Sequence, residues 1–330
     1  MKSIEEAEIK AGTKVLVRVD WNVPVDEAGL PTDSSRIEAT LLTIEYIKNK
    51  GGLPIIASHF GREGDSIETV INFAKQKYSV LTAGVEFLEN LRIDKREENN
   101  DESFAKDLAS KADIYVNEAF SVSHREHASI VGVPKFLPAF AGFHFMKEFQ
   151  NLSKAFNPER PFLFILGGAK FETKLPLLEK FLELADDVFI GGALAVKALE
   201  MSDKNGVPIA DNPKVIFPEG DIVAPDINPE TLAIIKEKID QAQFILWNGP
   251  LGNYEKGFIA GTVALARMLS ESSAKVVVGG GDTLAVVNKD VQKVITQHGF
   301  ISTAGGAMLD FLAKGTLPGI EALQNQISLE

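Results

Sequence analysis

Cysteine is absent from this 330-residue sequence, and tryptophan, tyrosine and methionine are all scarce. Without thiols the chain can form neither disulfides nor thiolate metal sites, so it has no need of an oxidising compartment. No apolar run has the length that crossing a bilayer requires, and the N-terminal segment lacks the apolar core of a signal peptide. We therefore expect a cytoplasmic protein that does not bind a membrane.

Positive charge is also in short supply, because the net charge is −12 at pH 7. Such an acidic chain is not expected to bind nucleic acid through a broad basic face. Only eight arginines occur, yet six of them fall within the first 125 residues and three of the five histidines within the first 127. Since arginine grips carboxylate and phosphate in a forked geometry, this concentration favours a small anionic ligand over arginines scattered on the surface.

Short apolar segments alternate with amphipathic helical segments along almost the whole chain. In the first half, for example, "KVLVRV" and "LPIIAS" indicate strands on either side of the helical pattern "SSRIEATLLTIEYIKNK". This alternation predicts an α/β protein whose parallel sheets are covered by helices on both faces. The length suggests two domains, and the helical segment "FMKEFQNLSKAFNPERP", with stops at Pro158 and Pro161, marks the division.

Polar and cationic side chains follow every predicted strand of the first half. The residues considered at these strand ends are Asp20, Trp21, Asn22, His59, Phe60, Gly61, Arg62, Arg92 and Arg125, and Arg36 opens the first long helix. Ligands of open parallel sheets bind at the carboxyl ends of the strands, so we expect one shared site for a small, multiply charged anion. Structural alternatives stay open: Asp20 as a turn or cap residue, Arg18 as an ion-pair partner, and His127 as a core histidine.

The second half places glycines and lysines after a buried strand in "FLFILGGAKFETK". Gly167 and Gly168 allow phosphate oxygens close to the backbone, while Lys170 and Lys174 would lie on one face of the helix that follows. The alternative is a solvated pair of lysines. Neither G-x-x-x-x-G-K-[ST] nor G-x-G-x-x-G occurs, which argues against a P-loop and against a nicotinamide-linked dehydrogenase.

Two further strand ends carry polar groups. Asn248, Pro250 and Glu255 lie in "FILWNGPLGNYEKG", where a glutamate can accept hydrogen bonds from ribose hydroxyls. In "VVVGGGDTLAV" the glycines suit an anion and the aspartate opposes one. The conflict is resolved if the anion arrives with a cation that Asp282 contacts, although Asp282 as a plain helix cap is the alternative.

Eight motifs then occur in the order found in phosphoglycerate kinases, which this sequence resembles from about Val15 to residues 317–323. They are "VRVDWNVP", "ASHFGR", "LENLR", "NEAFSVSHREHAS", "LGGAKFETK", "WNGPLGNYE", "GGGDT" and "STAGGA". The resemblance implies two Rossmann-like domains separated by a cleft and a hinge. It implies a triose-phosphate-binding domain over 1–145, an interdomain helix over 146–160, a nucleotide-binding domain over 161–313, and a C-terminal tail from about 314 to 330 that packs back on the first domain.

The implied reaction is reversible phosphoryl transfer between 1,3-bisphosphoglycerate and ADP, giving 3-phosphoglycerate and ATP, by a monomer that uses Mg²⁺ as the magnesium–nucleotide complex. The alternative is a catalytically weakened homologue that binds phosphorylated ligands or a protein partner. The residues implied to bind the triose are Asp20, Trp21, Asn22, Arg36, His59, Phe60, Gly61, Arg62, Arg92 and Arg125. Those implied to bind the nucleotide are Gly168, Ala169, Lys170, Lys174, Asn228, Asn248, Pro250, Glu255, Gly280, Gly281, Asp282 and Thr283. The implied catalytic residues are Arg36, Lys170, Lys174, Gly281 and Gly305, with Asp282 on the metal.

The sequence also departs from the family pattern. It is several dozen residues shorter, with the losses between "ASHFGR" and "LENLR" and between "GGALAVKALE" and "PDINPET". Glu118 replaces the aspartate of "NDAF", Ser121 replaces the glycine after it, and Ala304 replaces a glycine of "STGGG". Asn228 replaces a glycine that lies against the adenine, and Asn228 with Pro229 also suits a helix start.

Overall fold

The computed structural model describes residues 1–203 and 206–325. The described chain forms two compact units. Unit 1 comprises Met1–Phe149 together with the described residues from Thr316 onwards, and unit 2 comprises Gln150–Gly315. The last residues of the predicted C-terminal tail, 326–330, lie outside the described part.

Unit 1 is built on a five-stranded parallel sheet with the strand order β3-β2-β1-β4-β5. Its strands are β1 (Lys14–Arg18), β2 (Leu53–Ala57), β3 (Glu86–Phe87), β4 (Ile114–Asn117) and β5 (Ala139–Ala141). Its helices are α1 (Ser35–Glu38), α2 (Leu41–Asn49), α3 (Glu68–Lys77), α4 (Ser79–Thr82), α5 (Glu102–Ala109) and α6 (Phe143–Ser153), the last of which crosses the boundary between the units. A single turn of π-helix covers Ala128–Gly132.

Unit 2 is built on a six-stranded parallel sheet with the order β11-β10-β9-β6-β7-β8. Its strands are β6 (Phe162–Leu166), β7 (Asp187–Ile190), β8 (Val215–Ile216), β9 (Phe244–Asn248), β10 (Lys275–Gly279) and β11 (Phe300–Ile301). Its helices are α7 (Phe171–Leu184), α8 (Ala193–Leu199), α9 (Pro229–Gln241), α10 (Ala260–Glu271), α11 (Gly281–Val286), α12 (Lys289–His298) and α13 (Gly306–Lys314), after which α14 (Pro318–Gln324) belongs to unit 1.

The predicted parallel α/β architecture is confirmed in both units. Every residue of the central strands β6 and β9 is buried, which requires helices on both faces of the sheet. Among the described helices, none combines the length and the apolar character needed to cross a membrane. Because all strands of each sheet run in one direction, the segments after the strands lie along one edge of that sheet.

The long helix predicted over 34–50 is divided in two. The Thr40 hydroxyl donates to the Ile37 carbonyl at 2.8 Å and accepts the indole N–H of Trp21 at 3.1 Å. A side chain that bonds to nearby backbone in this way competes with the regular helical pattern. α1 therefore ends at Glu38, and α2 begins at Leu41.

A buried carboxylate fastens the N-terminus of α6. Glu118, which directly follows β4, accepts hydrogen bonds from the backbone N–H groups of His144 and Phe145, each at 3.0 Å, and from the Thr43 hydroxyl. These bonds satisfy N–H groups that a helix start leaves without partners. Burial raises the pKa of Glu118 to about 7. A Cβ on Gly142 would lie only 2.2 Å from Glu118 Oε2, so the carboxylate fits because residue 142 is glycine.

We expect Gly142→Ala to lower the free energy of unfolding by about 1–3 kcal/mol, because the new methyl group overlaps a carboxylate that cannot leave its bonds. The shorter side chain of Glu118→Asp should relieve this overlap. The double variant should therefore lose less free energy of unfolding than the two single variants lose in sum. Thermal and urea unfolding measure both quantities.

Gly306→Ala is the matched control, since no atom lies within 4 Å of the added Cβ. It should not destabilise the protein. Equal stability of Gly142→Ala and the control would contradict the tight fit of Glu118.

Candidate functional site

The carboxylate of Asp20 lies at the centre of the polar edge of unit 1. It is nearly buried, and its Oδ2 accepts hydrogen bonds from Arg36 Nη1 at 2.8 Å and from the Ser121 hydroxyl at 2.5 Å. His59 Nε2 lies 3.9 Å from the other oxygen, Oδ1. The segments after β1, β2 and β4 thus meet with α1 at one point, as expected from parallel strands.

His59 is held neutral in this cluster. Burial lowers its pKa far below the ordinary value, and the nearby guanidinium groups of Arg18 and Arg92 add to the shift. Its ring therefore provides hydrogen-bonding groups at this edge and not a cation. Nδ1 lies 3.4 Å from Arg18 Nη2.

Asn22, Gly61 and Arg92 form a second connected group. Asn22 Oδ1 accepts the N–H of Gly61 at 2.9 Å, and Arg92 Nη1 donates to the Gly61 carbonyl at 2.6 Å. Gly61 has φ +51°, and a Cβ there would meet the carboxylate of Asp65 at 2.2 Å. Glycine is therefore required where the chain turns after β2.

Arg62 and Arg125 complete the set of predicted arginines. The Arg62 side chain is exposed, and its backbone N–H donates to Asp65 Oδ2 at 2.7 Å. Burial and the neighbouring Arg92 lower the pKa of Arg125. The smaller part of that shift comes from repulsion between guanidinium groups, which an incoming anion would relieve.

Two residues predicted to contact the triose, Trp21 and Phe60, are partly or wholly buried. The Trp21 side chain is 0% exposed in the core, where its ring centroid lies 5.8 Å from that of Phe87. Its indole N–H donates to Thr40 Oγ1 at 3.1 Å, and its backbone N–H donates to Ser58 Oγ at 2.9 Å, so Trp21 anchors the end of β1 in the core. Phe60 is half-buried, and its backbone N–H is bound by Asn90.

The contacts of Arg18 and His127 favour the structural roles that the sequence left open for them. Arg18 is buried, and its Nε donates to the hydroxyl of Ser129 at 2.8 Å. That hydroxyl also bonds to the fully buried Glu97, whose carboxylate lies 3.8 Å from His127 Nδ1. Arg18 and His127 therefore belong to a polar network inside unit 1.

In unit 2, a buried lysine lies beneath the glycines that follow β6. Lys174 Nζ donates to the Gly167 carbonyl, and burial lowers the pKa of this ammonium to about 8, a shift that Lys170 increases and Asp282 opposes. A Cβ on Gly249, which has φ +98°, would lie 2.4 Å from Lys174 Nζ. Glycine at these turns thus gives the ammonium its space.

A cleft of about 310 Å³ opens over these turns, within unit 2. Six predicted nucleotide contacts line it: Gly168, Ala169, Lys170, Pro250, Glu255 and Asp282. The remaining wall is mainly apolar and includes Ala193, Val196 and Val223. A cleft with an apolar wall and a few polar groups at one end suits a ligand with a flat ring and a charged chain.

Three further predicted contacts adjoin the cleft. Asn248 is buried, and its side-chain nitrogen has no hydrogen-bond partner among the described residues. A Cβ on Gly280 would lie 3.3 Å from that nitrogen, so the free N–H bonds of Asn248 lie next to the turn that begins α11. The Thr283 hydroxyl accepts the N–H of Gly249 at 2.9 Å and connects the turns after β9 and β10.

Asp282 and Gly281 lie in the first turn of α11 and are exposed. The Asp282 carboxylate accepts the hydroxyl of Tyr254, and this bond raises the pKa of the tyrosine. Within the described ranges, no group of three or more acidic, histidine or cysteine side chains could enclose a metal ion. One accessible carboxylate fits a magnesium ion that brings its other oxygen ligands from phosphates and water.

Two predicted residues lie away from the cleft wall. Asn228 caps α9, accepting the Thr231 N–H at 2.8 Å and donating to the Glu219 carbonyl at 3.0 Å, and it lines a neighbouring hollow of about 220 Å³. Its role as a helix cap therefore accounts for the hydrogen bonds of both the oxygen and the nitrogen of its side-chain amide. Gly305, with φ +56°, immediately precedes α13.

Ser121, Asn90 and Tyr254 belong to these sites but were not predicted from the sequence. Asn90 connects Phe60, Asp65 and Arg92 through its amide. No spacing rule identifies a serine or an asparagine that acts through other side chains. Tyr254 had a local signal, because it directly precedes Glu255 in the segment after β9.

Comparison with known proteins gives one family. The family model described as phosphoglycerate kinase matches residues 4–87, 66–212 and 210–315. The phosphoglycerate kinases of Leptospira biflexa and Finegoldia magna are 38% and 37% identical, covering 97% and 95% of this chain and 97% and 96% of their own. The alignment with the Leptospira protein extends over 393 positions, so that relative has segments that this chain lacks.

Solved structures with the same fold belong to the same family. The phosphoglycerate kinase of Coxiella burnetii matches with a TM-score of 0.84 at 30% identity, over 98% of this chain and 99% of the other. That of Pyrococcus horikoshii matches with a TM-score of 0.80 at 27% identity, over 98% of both chains. With the family model, the relatives and the two sheet edges in agreement, this chain belongs to the phosphoglycerate kinase family.

Proposed function

We propose how the two units divide the reaction of this kinase, the reversible phosphoryl transfer between 1,3-bisphosphoglycerate and ADP that gives 3-phosphoglycerate and ATP. Unit 1 holds the phosphoglycerate, and unit 2 holds the nucleotide. The observation that carries this division is the contrast between the two sheet edges. Unit 1 gathers arginines around one carboxylate, whereas unit 2 has an apolar-walled cleft above a buried lysine.

The edge of unit 1 matches the chemical groups of phosphoglycerate. Guanidinium groups bind phosphate and carboxylate through paired N–H donors, and Arg62, Arg92 and Arg125 supply them. The Asp20 carboxylate repels those anionic groups and can only accept from a hydroxyl. We assign it to the hydroxyl of the triose. Arg36, 2.8 Å from Asp20 and 37% exposed, is placed to orient the carboxyl group that carries the transferred phosphoryl.

The cleft of unit 2 matches a nucleoside phosphate. The apolar wall receives the base, and Glu255 accepts from the ribose hydroxyls. Backbone at Gly168 and the ammonium groups of Lys170 and Lys174 receive the phosphates. The unpartnered amide of Asn248 finds its acceptor in a phosphate oxygen, which also explains why a buried N–H₂ group is tolerated here.

The reaction needs position and charge more than it needs covalent chemistry by the protein. The acceptor carboxylate attacks phosphorus directly and has no proton to lose, so we assign no general base. Arg36, Lys170 and Lys174 spread the charge that develops on the equatorial oxygens, with backbone N–H groups at Gly281 and Gly305. Exclusion of water protects the acyl phosphate from hydrolysis.

We assign Asp282 as the residue that would hold magnesium, because its exposed carboxylate lines the cleft beside Lys170. Bound with the nucleotide, magnesium would supply positive charge that offsets the negative charge of the phosphates. The Tyr254 hydroxyl already orients the Asp282 carboxylate. We extend the proposal to a cytoplasmic monomer that binds neither membrane nor nucleic acid, which rests on the family resemblance.

Arg36→Ala should lower kcat by about 10²–10³, as expected for loss of a donor to the transition state, while the Kd for ADP changes less than about twofold. Steady-state kinetics and calorimetry on the same preparation measure the two effects.

Arg96→Ala is the matched control. Arg96 lies in unit 1 but pairs with Asp94 and Asp107 at the surface, so kcat and both KM values should stay at those of the parent protein. Equal losses of rate and ADP affinity in Arg36→Ala would contradict the role of Arg36.

ADP binding should be linked to protonation of Lys174. Its pKa is about 8 in the free protein, so the ammonium loses its proton as the pH rises through 8, and phosphate favours the charged form. Above pH 8, affinity should fall by up to about tenfold per pH unit, with proton uptake on binding. Calorimetry at pH 8.5–9 in buffers of different ionisation enthalpy measures the uptake.

Lys174→Met should bind ADP more weakly and without this uptake. The same proton uptake in the parent protein and in Lys174→Met would show that another group carries the pH dependence.

A further inference from the structure

Ser121 makes a contact in unit 1 that the reaction described above does not use. It lies in the one-turn 3-10 helix Phe120–Val122 that follows β4, 101 residues away from Asp20 in sequence. Its hydroxyl donates to Asp20 Oδ2 at 2.5 Å, the oxygen that also accepts Arg36 Nη1 at 2.8 Å. The family motif has glycine at this position, and glycine has no side chain to make such a bond.

The two oxygens of Asp20 are therefore unequally occupied. Oδ2 accepts two strong bonds, which use both of its lone pairs. Among the described residues, Oδ1 accepts only the backbone N–H of Asn22, at 3.3 Å, with His59 Nε2 at 3.9 Å. Oδ1 thus keeps acceptor capacity, and the two bonds on Oδ2 fix the plane of the carboxylate.

We propose that Ser121 is a positioning residue for substrate recognition: its hydroxyl fixes the Asp20 carboxylate so that Oδ1 is presented to the hydroxyl of phosphoglycerate. This inference rests on the proposed function, which places the triose at this edge. Of the three polar groups of 3-phosphoglycerate, the phosphate and the carboxylate suit the arginines. Only the hydroxyl can donate to Asp20.

Arg36 alone would hold the carboxylate less firmly. Its side chain is 37% exposed, so solvent competes for its bond to Asp20, whereas Asp20 itself is 7% exposed. Ser121 is the second donor to this nearly buried charge. Without it, Oδ2 has a free lone pair, and the carboxylate can rotate so that either oxygen meets the ligand.

The experiment compares two ligands on three proteins. Calorimetry measures the Kd of 3-phosphoglycerate and of 3-phosphonooxypropionate, which lacks only the hydroxyl, for the parent protein, Ser121→Ala and Ser121→Thr. Ser121→Ala should raise the Kd of 3-phosphoglycerate by about 3- to 10-fold, which is the effect of losing one hydrogen bond to a charged group. The Kd of the deoxy ligand should change by less than about twofold. Ser121→Thr keeps the hydroxyl and should restore the preference.

Ser123→Ala is the matched control on the same loop. Its hydroxyl accepts from Asn117 Nδ2 at 3.1 Å and donates to the Ala119 carbonyl at 3.0 Å, with no bond to Asp20. Its loss should lower the melting temperature without changing the ratio of the two Kd values. That ratio keeps the test valid even where a variant is less stable.

The role of Ser121 would be overturned if Ser121→Ala lowers the affinity for both ligands equally, or for neither. Asp20→Asn tests the proposed function separately. If Asp20→Asn binds 3-phosphoglycerate as tightly as the parent protein does, the triose site itself is misplaced. If Asp20→Asn loses affinity but Ser121→Ala does not, only the inference about Ser121 fails.

Discussion

The charge of Asp20 is the constraint on which the edge of unit 1 depends. A nearly buried carboxylate is stable only with strong donors, and Arg36 and Ser121 supply them at 2.8 and 2.5 Å. Their bonds join the segments after β1 and β4 to the start of the first helix. Burial, with a smaller contribution from the neighbouring guanidinium groups, keeps His59 neutral and lowers the pKa of Arg125. We propose that this edge is preorganised for a ligand that is anionic and has a hydroxyl.

The corresponding edge of unit 2 depends on one buried cation, the ammonium group of Lys174. Lys174 donates to the Gly167 carbonyl, and its lowered pKa reflects burial without a carboxylate in direct contact. Glycine at 249 leaves the space that this ammonium needs. We propose that in both units the substrates complete an arrangement of charges that the fold holds in place before they bind. Such preorganisation is what phosphoryl transfer requires.

The sequence allowed the parallel α/β class and the polar strand ends to be predicted, because buried strands and the residues after them are continuous in the chain. The three-residue β5 and the two-residue β11 were not predicted from the sequence. Glu118 and Ser121 were visible only as departures from a motif, because their partners Gly142 and Asp20 are distant in sequence. The capping role of Asn228 was foreseen from Pro229, whereas the burial of Trp21 was not, since core packing overrides a local motif.

We propose that the protein supplies positions and charges and that the acceptor carboxylate attacks the nucleotide phosphate directly. The most direct test is the stereochemistry of transfer to 3-phosphoglycerate from ATP whose terminal phosphorus is made chiral with three oxygen isotopes. A single direct displacement inverts the configuration at phosphorus, and we expect inversion. Retention would contradict the claim, because it requires a second displacement through a phosphorylated side chain.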